Sequence, residues 1–353
     1  MRKSSTILRN FPKIVSVVLI GAGLLLHPQY AAQGVKEGLS LLGAVVIPSL
    51  FPFLVLSSYL CESSSVNGLC RIFEKPAEKI FKINGNCILP VFLGSVGGYP
   101  VGAKSVAELY ENKKITKNEA ERLFYWCVNS GPAFTVSAVG TMMLGNIKSG
   151  FLIYFSSLLS SLTIGFFCRF LYIGQPIKTD NSFVTEQKKY PLITAVSNGA
   201  SAMLNISSWI LCFSCLSALI DTIKTDNSAK IFIKSVLEVT TGCRECAGKV
   251  PIPVIAAMLG FGGLSVICQV SPYLNSCGVQ LKRFFSARIL NAALCAFYSS
   301  QLLKIFPQAG TVSTTFHTSV ADVHLSFTTP VFAILTIMCG LLIFELDNRK
   351  KVC

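Results

Sequence analysis

The sequence predicts an all-α polytopic membrane protein of about eight transmembrane helices plus two re-entrant or discontinuous hairpins, arranged as an inverted repeat. Three observations carry this. Of 353 residues, 52% are hydrophobic and 14% charged, and the mean hydropathy is +0.58; a soluble domain carries about 25% charged residues, and one or two soluble domains could not solvate this much apolar surface. Apolar segments approaching the roughly 20 residues that cross a bilayer recur near 11–27, 38–60, 123–145, 150–172, 192–220, 252–273, 284–304 and 328–346. Finally, 31 Lys+Arg stand against 17 Asp+Glu, a formal +14, and the basic residues collect in alternate loops, as the positive-inside bias requires. The composition excludes a soluble enzyme, a secreted disulfide scaffold and a disordered tail.

The N-terminus carries Arg2, Lys3, Arg9 and Lys13 before an apolar run from Ile14 to Leu26. No small-residue cleavage site follows His27, so an uncleaved first helix is expected rather than a signal peptide. The chain ends on Arg349, Lys350 and Lys351 after an apolar segment. Both termini therefore read as cytoplasmic, which needs an even number of crossings. The loops 61–86 (Arg71, Lys75, Lys79, Lys82), 173–190 (Lys178, Lys188, Lys189) and 276–288 (Lys282, Arg283, Arg288) fall on the cytoplasmic side, and the loop 305–327 has no Lys or Arg. The stretch 221–234, expected to be external, is an exception with Lys224, Lys230 and Lys234.

Two segments do not fit as simple spans. Residues 87–107 contain Pro90, Pro100 and glycines at 94, 97, 98 and 102; residues 231–250 begin apolar and break into Thr240-Thr-Gly-Cys-Arg-Glu-Cys-Ala-Gly248. Such segments cannot hold a continuous helix, and freed backbone groups are tolerated at membrane depth only inside protein or along a cavity. With both read as hairpins, each half runs helix, hairpin, helix, helix, the first set starting inward and the second outward. This is the inverted repeat of secondary transporters, whose interrupted segments mark a substrate site near the midplane. The organisation follows: an N-terminal helix (1–34), a first repeat (35–175), a cytoplasmic linker (176–190), a second repeat (191–305), and an external loop with a C-terminal helix (306–353).

Candidate site residues cluster at the breaks. Gly97, Gly98, Tyr99, Pro100 and Lys104 would turn the chain tightly and aim the positive end of a half-helix at an anion. The competing reading is close packing through small residues, with Lys104 snorkelling to the interface. Asn129, Ser130 and Pro132 interrupt the third span and either contact substrate or re-satisfy carbonyls at a structural kink. In the second half Thr241, Arg244, Gly262, Gly263 and Gln269 take the corresponding places. Arg244 could clamp a carboxylate or simply neutralise Glu245. Within the turn 110–122, Thr116 and Glu119 have the spacing of a capping box.

The 14 cysteines mostly lie in apolar runs. The pair Cys212/Cys215 has no histidine near it, so no metal is expected; redox coupling of Cys243 to Cys246 stays open. His27, His317 and His324 sit at span ends or in the external loop, and no nucleophile–base pair is visible, so the chain is expected not to be an enzyme and to need no cofactor. No nucleic-acid partner is expected either, and the oligomeric state, including a homo-oligomer, is left open.

The motifs Gly97-Gly98-Tyr99-Pro100-Val101-Gly102-Ala103-Lys104, Asn129-Ser-Gly-Pro-Ala-Phe134 and Gly262-Gly263-Leu-Ser-Val-Ile-Cys-Gln269-Val270 resemble those of the sporulation integral membrane proteins of the YlbJ type. The resemblance covers about residues 35–305. It implies two nucleoside-recognition "Gate" domains, an endospore-forming bacterium, and movement of dipicolinate from the mother cell across the outer forespore membrane. The domain label is inherited from nucleoside transporters and does not imply that a nucleoside binds. Dipicolinate is a dianion, which half-helix N-termini with Lys104 and Arg244 would complement. An ion-coupled symporter for nucleosides or other organic solutes, needing an intramembrane carboxylate such as Glu245 or Glu238, and a structural protein of the forespore membrane are the alternatives.

Overall fold

The computed structural model describes residues 18, 20–62, 65–171, 191–223 and 226–310, and these contain helices and no strand. Residues 11–17 and 19 of the N-terminal segment, the linker 176–190 and the C-terminal span at 328–346 lie outside the described residues. Four helical stretches are long and apolar enough to cross a membrane, namely Pro28–Leu56, Ile147–Phe170, Pro191–Ile220 and Ile252–Ser276, and the bent pair Ile72–Phe81 and Gly85–Gly97 makes a fifth if it is counted as one span.

The first half begins with α1 (Pro28–Leu41), which runs through a π-helical turn (Leu42–Val46) into α2 (Ile47–Glu62). This corrects the separation of the first two expected spans, because residues 28–37 are helical. Next come α3 (Ser65–Phe81), α4 (Ile88–Gly97), α5 (Tyr99–Glu111), α6 (Lys117–Trp126), a π-helical segment (Ala133–Met143) and α7 (Ile147–Leu171). The second half is α8 (Pro191–Ile220), α9 (Asn227–Leu237), α10 (Val239–Cys246), α11 (Ile252–Phe261), α12 (Gly263–Ser276) and α13 (Leu281–Ile305). The order long helix, hairpin, broken pair, long helix thus occurs twice, with the amphipathic α3 inserted in the first half.

The loop expected at 61–86 contains α3, which meets α4 at a bend of 100°. Its last carbonyls need donors because no further turn follows. Arg122 on α6 donates to Phe81 and Lys82 at 2.6 and 3.0 Å, and Arg169 on α7 donates to Ile80 at 2.9 Å. The start of α6 is closed as its sequence prescribes. The Thr116 hydroxyl accepts from the Glu119 amide at 3.1 Å while the Glu119 carboxylate accepts from the Thr116 amide at 2.8 Å, a capping box that stabilises by about 1 kcal/mol.

Helix α7 is sorted in reverse of a helix in a soluble protein. On α7, Ser149, Ser156, Ser157, Ser160 and Ser161 are buried whereas Phe151, Phe155, Phe166, Phe167 and Phe170 are exposed. Small polar residues let helices approach and bond across a lipid-embedded interface, where apolar side chains gain nothing by leaving lipid. Of the α7 serines, Ser160 donates to the Asn291 side chain on α13 at 2.5 Å, and Ser161 to the Asn129 side chain at 2.7 Å. α13 has 25 residues, about 37 Å at 1.5 Å per residue, which is long enough to span. Its hydropathy is lowered by Arg288, Asn291 and Ser299, all of which are buried inside the bundle.

Candidate functional site

Both hairpins form, and in each a glycine lets the two arms approach closely. α4 and α5 fold back on one another at Gly98, whose φ of 89° and ψ of −173° lie where only glycine is comfortable. The two arms touch at Gly94 and Gly102: a Cβ on Gly102 would stand 2.7 Å from the Gly94 Cα, and one on either would overlap the Cys127 carbonyl oxygen. α9 and α10 fold back at Glu238, with a Cβ on Gly242 placed 2.6 Å from the Ser235 Cα. The second break therefore falls at Glu238 and not, as expected, within Thr240–Gly248, most of which is helical. The Glu238 carboxylate makes the break by accepting from the Thr240 and Thr241 amides at 2.9 and 2.5 Å, satisfying two orphan donors of α10.

Each hairpin tip meets the break of the next helix in its own half. The Asn129–Pro132 interruption separates α6 from the π-helical segment, and a Cβ on Gly131 would lie 3.0 Å from the Gly98 nitrogen. In the second half α11 and α12 part at Gly262 and Gly263, and a Cβ on Gly263 would lie 3.1 Å from the Val239 nitrogen and 3.3 Å from the Leu237 carbonyl. The three breaks expected from glycine and proline, at Gly98, Asn129–Pro132 and Gly262–Gly263, and the one at Glu238 thus fall into two contacting pairs. α5 also packs on α12, and α10 touches the π-helical segment, so the halves cross.

Two side chains bridge the pairs. The Tyr99 hydroxyl, at the start of α5, donates to the Leu259 carbonyl in the last turn of α11 at 2.6 Å. Arg288, on α13, is completely buried and donates to three carbonyls: Phe261 at 3.1 Å, and Gly260 and Val128. Its guanidinium carbon lies 5.8 Å from the centre of the Tyr99 ring. The Gly260 carbonyl also accepts from the Asn291 amide at 2.9 Å. On the other side, the Asn129 amide donates to Trp126 at 2.8 Å and its oxygen accepts from Ser161 at 2.7 Å. Ser130 is buried, and Pro132 opens the π-helical segment. The interruption at Asn129 is therefore both a kink and part of a buried polar centre.

The remaining candidates sit elsewhere. Lys104 faces outward on α5, its side chain 50% exposed and 3.7 Å from Glu108. Arg244 stands 3.5 Å from Glu37 of α1, while Glu245 is neutralised by Lys234 at 3.1 Å, which also holds Asp221 at 2.9 Å. Of the two roles open to Arg244, neutralising Glu245 falls to Lys234 instead, and Arg244 pairs with Glu37. Lys234, counted as an exception among external loop charges, is a buried residue of α9 tying that helix to α8 and α10. The Thr241 hydroxyl has no hydrogen-bond partner among the described residues, and Gln269 is buried on α12. Lys104 and Arg244 are already paired at solvated positions, and the charge at the meeting of the breaks is Arg288. Sequence reasoning assigned Arg288 to a cytoplasmic loop; it lies two turns into α13, and only its place among apolar residues separated it from Lys282 and Arg283 in the first turn of that helix.

Broken helices in both halves, a helix α7 that buries serine and exposes phenylalanine, and four membrane-length apolar helices define a polytopic helical membrane protein. The chain is similar to the sporulation integral membrane protein YlbJ of Bacillus subtilis (strain 168), with 25% identity and a match covering 81% of each chain. This similarity supports assigning it to the YlbJ type of sporulation integral membrane proteins. No family model matches the sequence, and no solved structure matches it.

Proposed function

We propose that this protein is a membrane transporter for a small organic anion, and that the anion is dipicolinate, moved from the mother cell across the outer forespore membrane during sporulation. The observation that supports this best is the pairing of four helix breaks, two from each half, around one buried cation. Discontinuous helices at corresponding positions of two halves mark the substrate site of inverted-repeat transporters. We take the halves as such a repeat, each a Gate-like domain, with both termini on the cytoplasmic side. The protein binds and moves its substrate without altering it, and needs no nucleotide. Expelling a dianion from an inside-negative compartment is downhill by about 2.3 kcal/mol per charge per 100 mV, hence roughly 4.6 kcal/mol.

The test is uptake of radiolabelled dipicolinate and uridine into vesicles holding the purified protein, with and without an ion gradient. Dipicolinate uptake that follows membrane potential and needs no gradient is the expected result. Gradient-dependent uridine uptake would instead make the protein a nucleoside symporter. Uptake of neither solute, with the protein folded, would assign it a structural role.

A further inference from the structure

Arg288 brings a full positive charge into the interior of a bundle that lies in lipid, and the carboxylate ion pairs among the described residues belong to other cations. An uncompensated buried charge is prohibitive, so something must answer it. Here the answer is backbone: Gly260 and Phe261 are the last residues of α11, and Val128 lies two residues beyond the end of α6. Uncovered carbonyls at a helix C-terminus carry roughly half a negative charge. The guanidinium therefore rests on two helix ends, one from each half. It is held by neutral acceptors, although its planar fork fits a carboxylate in bidentate fashion.

We propose that Arg288 is the residue that binds a carboxylate of the transported anion, exchanging its carbonyl partners for the carboxylate and so releasing the ends of α6 and α11 from each other. The inference rests on the organic-anion reading and adds to it the binding residue and a coupling between binding and opening. The exchange leaves few groups stranded. Gly260 keeps the Asn291 amide as a donor, and the Tyr99 ring keeps one face of the guanidinium covered. Tyr99 stays anchored on Leu259, so the start of α5, the positive end of a 13-residue helix, remains beside the incoming anion.

Cys127 and Cys295 report on the exchange, as both are fully buried close to Arg288. The full-length protein in lipid nanodiscs is alkylated with a small maleimide, and labelling is resolved by peptide mass spectrometry with dipicolinate, picolinate or uncharged nicotinamide present. Dipicolinate is expected to speed Cys127 labelling severalfold, picolinate less, and nicotinamide not at all. In equilibrium dialysis, Arg288→Lys, which keeps the charge but loses the fork, is expected to weaken dipicolinate binding at least tenfold, and Arg288→Gln more. Unchanged Cys127 labelling in the wild-type protein, or an Arg288→Lys protein that binds like wild type, would overturn the role of Arg288 while dipicolinate uptake into vesicles left the transport reading standing. If the substitutions prevent folding, the wild-type labelling decides. A wild-type protein that takes up uridine and binds no anion would remove the transport reading, and this inference with it.

Discussion

Three glycines of the first half differ in what a side chain would meet there, and alanine at each separates the cases. Gly43 lies in the π-helical turn between α1 and α2, where an added Cβ would meet nothing within 4 Å, so Gly43→Ala gains helix propensity and stabilises by about 0.5–1 kcal/mol. Gly98 has room, its would-be Cβ lying 3.4 Å from the Gly131 nitrogen, but its backbone conformation costs an alanine about 1–3 kcal/mol. Gly94 is ordinary α-helix, yet its Cβ would overlap the Cys127 carbonyl, which is backbone and cannot turn aside. Overpacking of this kind costs about 1–3 kcal/mol and at times more. Combining the ranges, Gly94→Ala should lie about 1.5–4 kcal/mol below Gly43→Ala. The assay is unfolding of the full-length protein in mixed micelles by titration with dodecyl sulfate, followed through Trp126 and Trp209, the two tryptophans of the chain. If Gly94→Ala matched Gly43→Ala to within about 0.5 kcal/mol, the size expected of an inconsequential substitution, the packed hairpin would be wrong.

The same titration checks four further expectations. Tyr99→Phe strips the Leu259 carbonyl of its donor and should destabilise by about 1–3 kcal/mol, whereas Tyr30→Phe, at an exposed position, should change nothing. Thr116→Ala removes the side-chain half of the α6 capping box at a cost of about 1 kcal/mol, and Thr116→Ser should restore most of it. Lys234→Ala should cost about 2 kcal/mol, since it leaves Asp221 and Glu245 without their shared cation. Lys104→Ala removes only a solvated pair and should cost less than about 1 kcal/mol.

What could be read from the sequence depended on how local its cause is. Glycine and proline act on their own backbone, so the breaks at Gly98, at Asn129–Pro132 and at Gly262–Gly263 were all visible in advance, as was the Thr116–Glu119 cap. The helical residues 28–37 were missed because Gln33, Lys36 and Glu37 interrupt the apolar run. Polarity there says only which face is wet, and the Gln33 amide in fact bonds the Glu37 carboxylate one turn on, at 2.9 Å. The break at Glu238 was misplaced for a related reason, since glutamate is not a common first choice for a cap and nothing beside it marks a turn.

Arg288 is the case where locality fails altogether, and it shows which basic residues deserve a functional reading. Counting charges by loop treats every arginine near a span end as a solvated topology signal. That holds for Arg283, which is half exposed and pairs with Glu121 at 2.9 Å. Arg288 is one turn further along the same helix, and its environment is made by residues 27 to 160 positions away in sequence. Breaking α11 at Gly262 and ending α6 before Asn129 uncovers carbonyls that water cannot reach. A third helix must then supply donors, and a guanidinium supplies several from one side chain. The need for Arg288 is thus created by the breaks themselves. A residue whose hydrogen bonds, among the described residues, go to the ends of two separate helices is also the one whose partners can be exchanged without unfolding either.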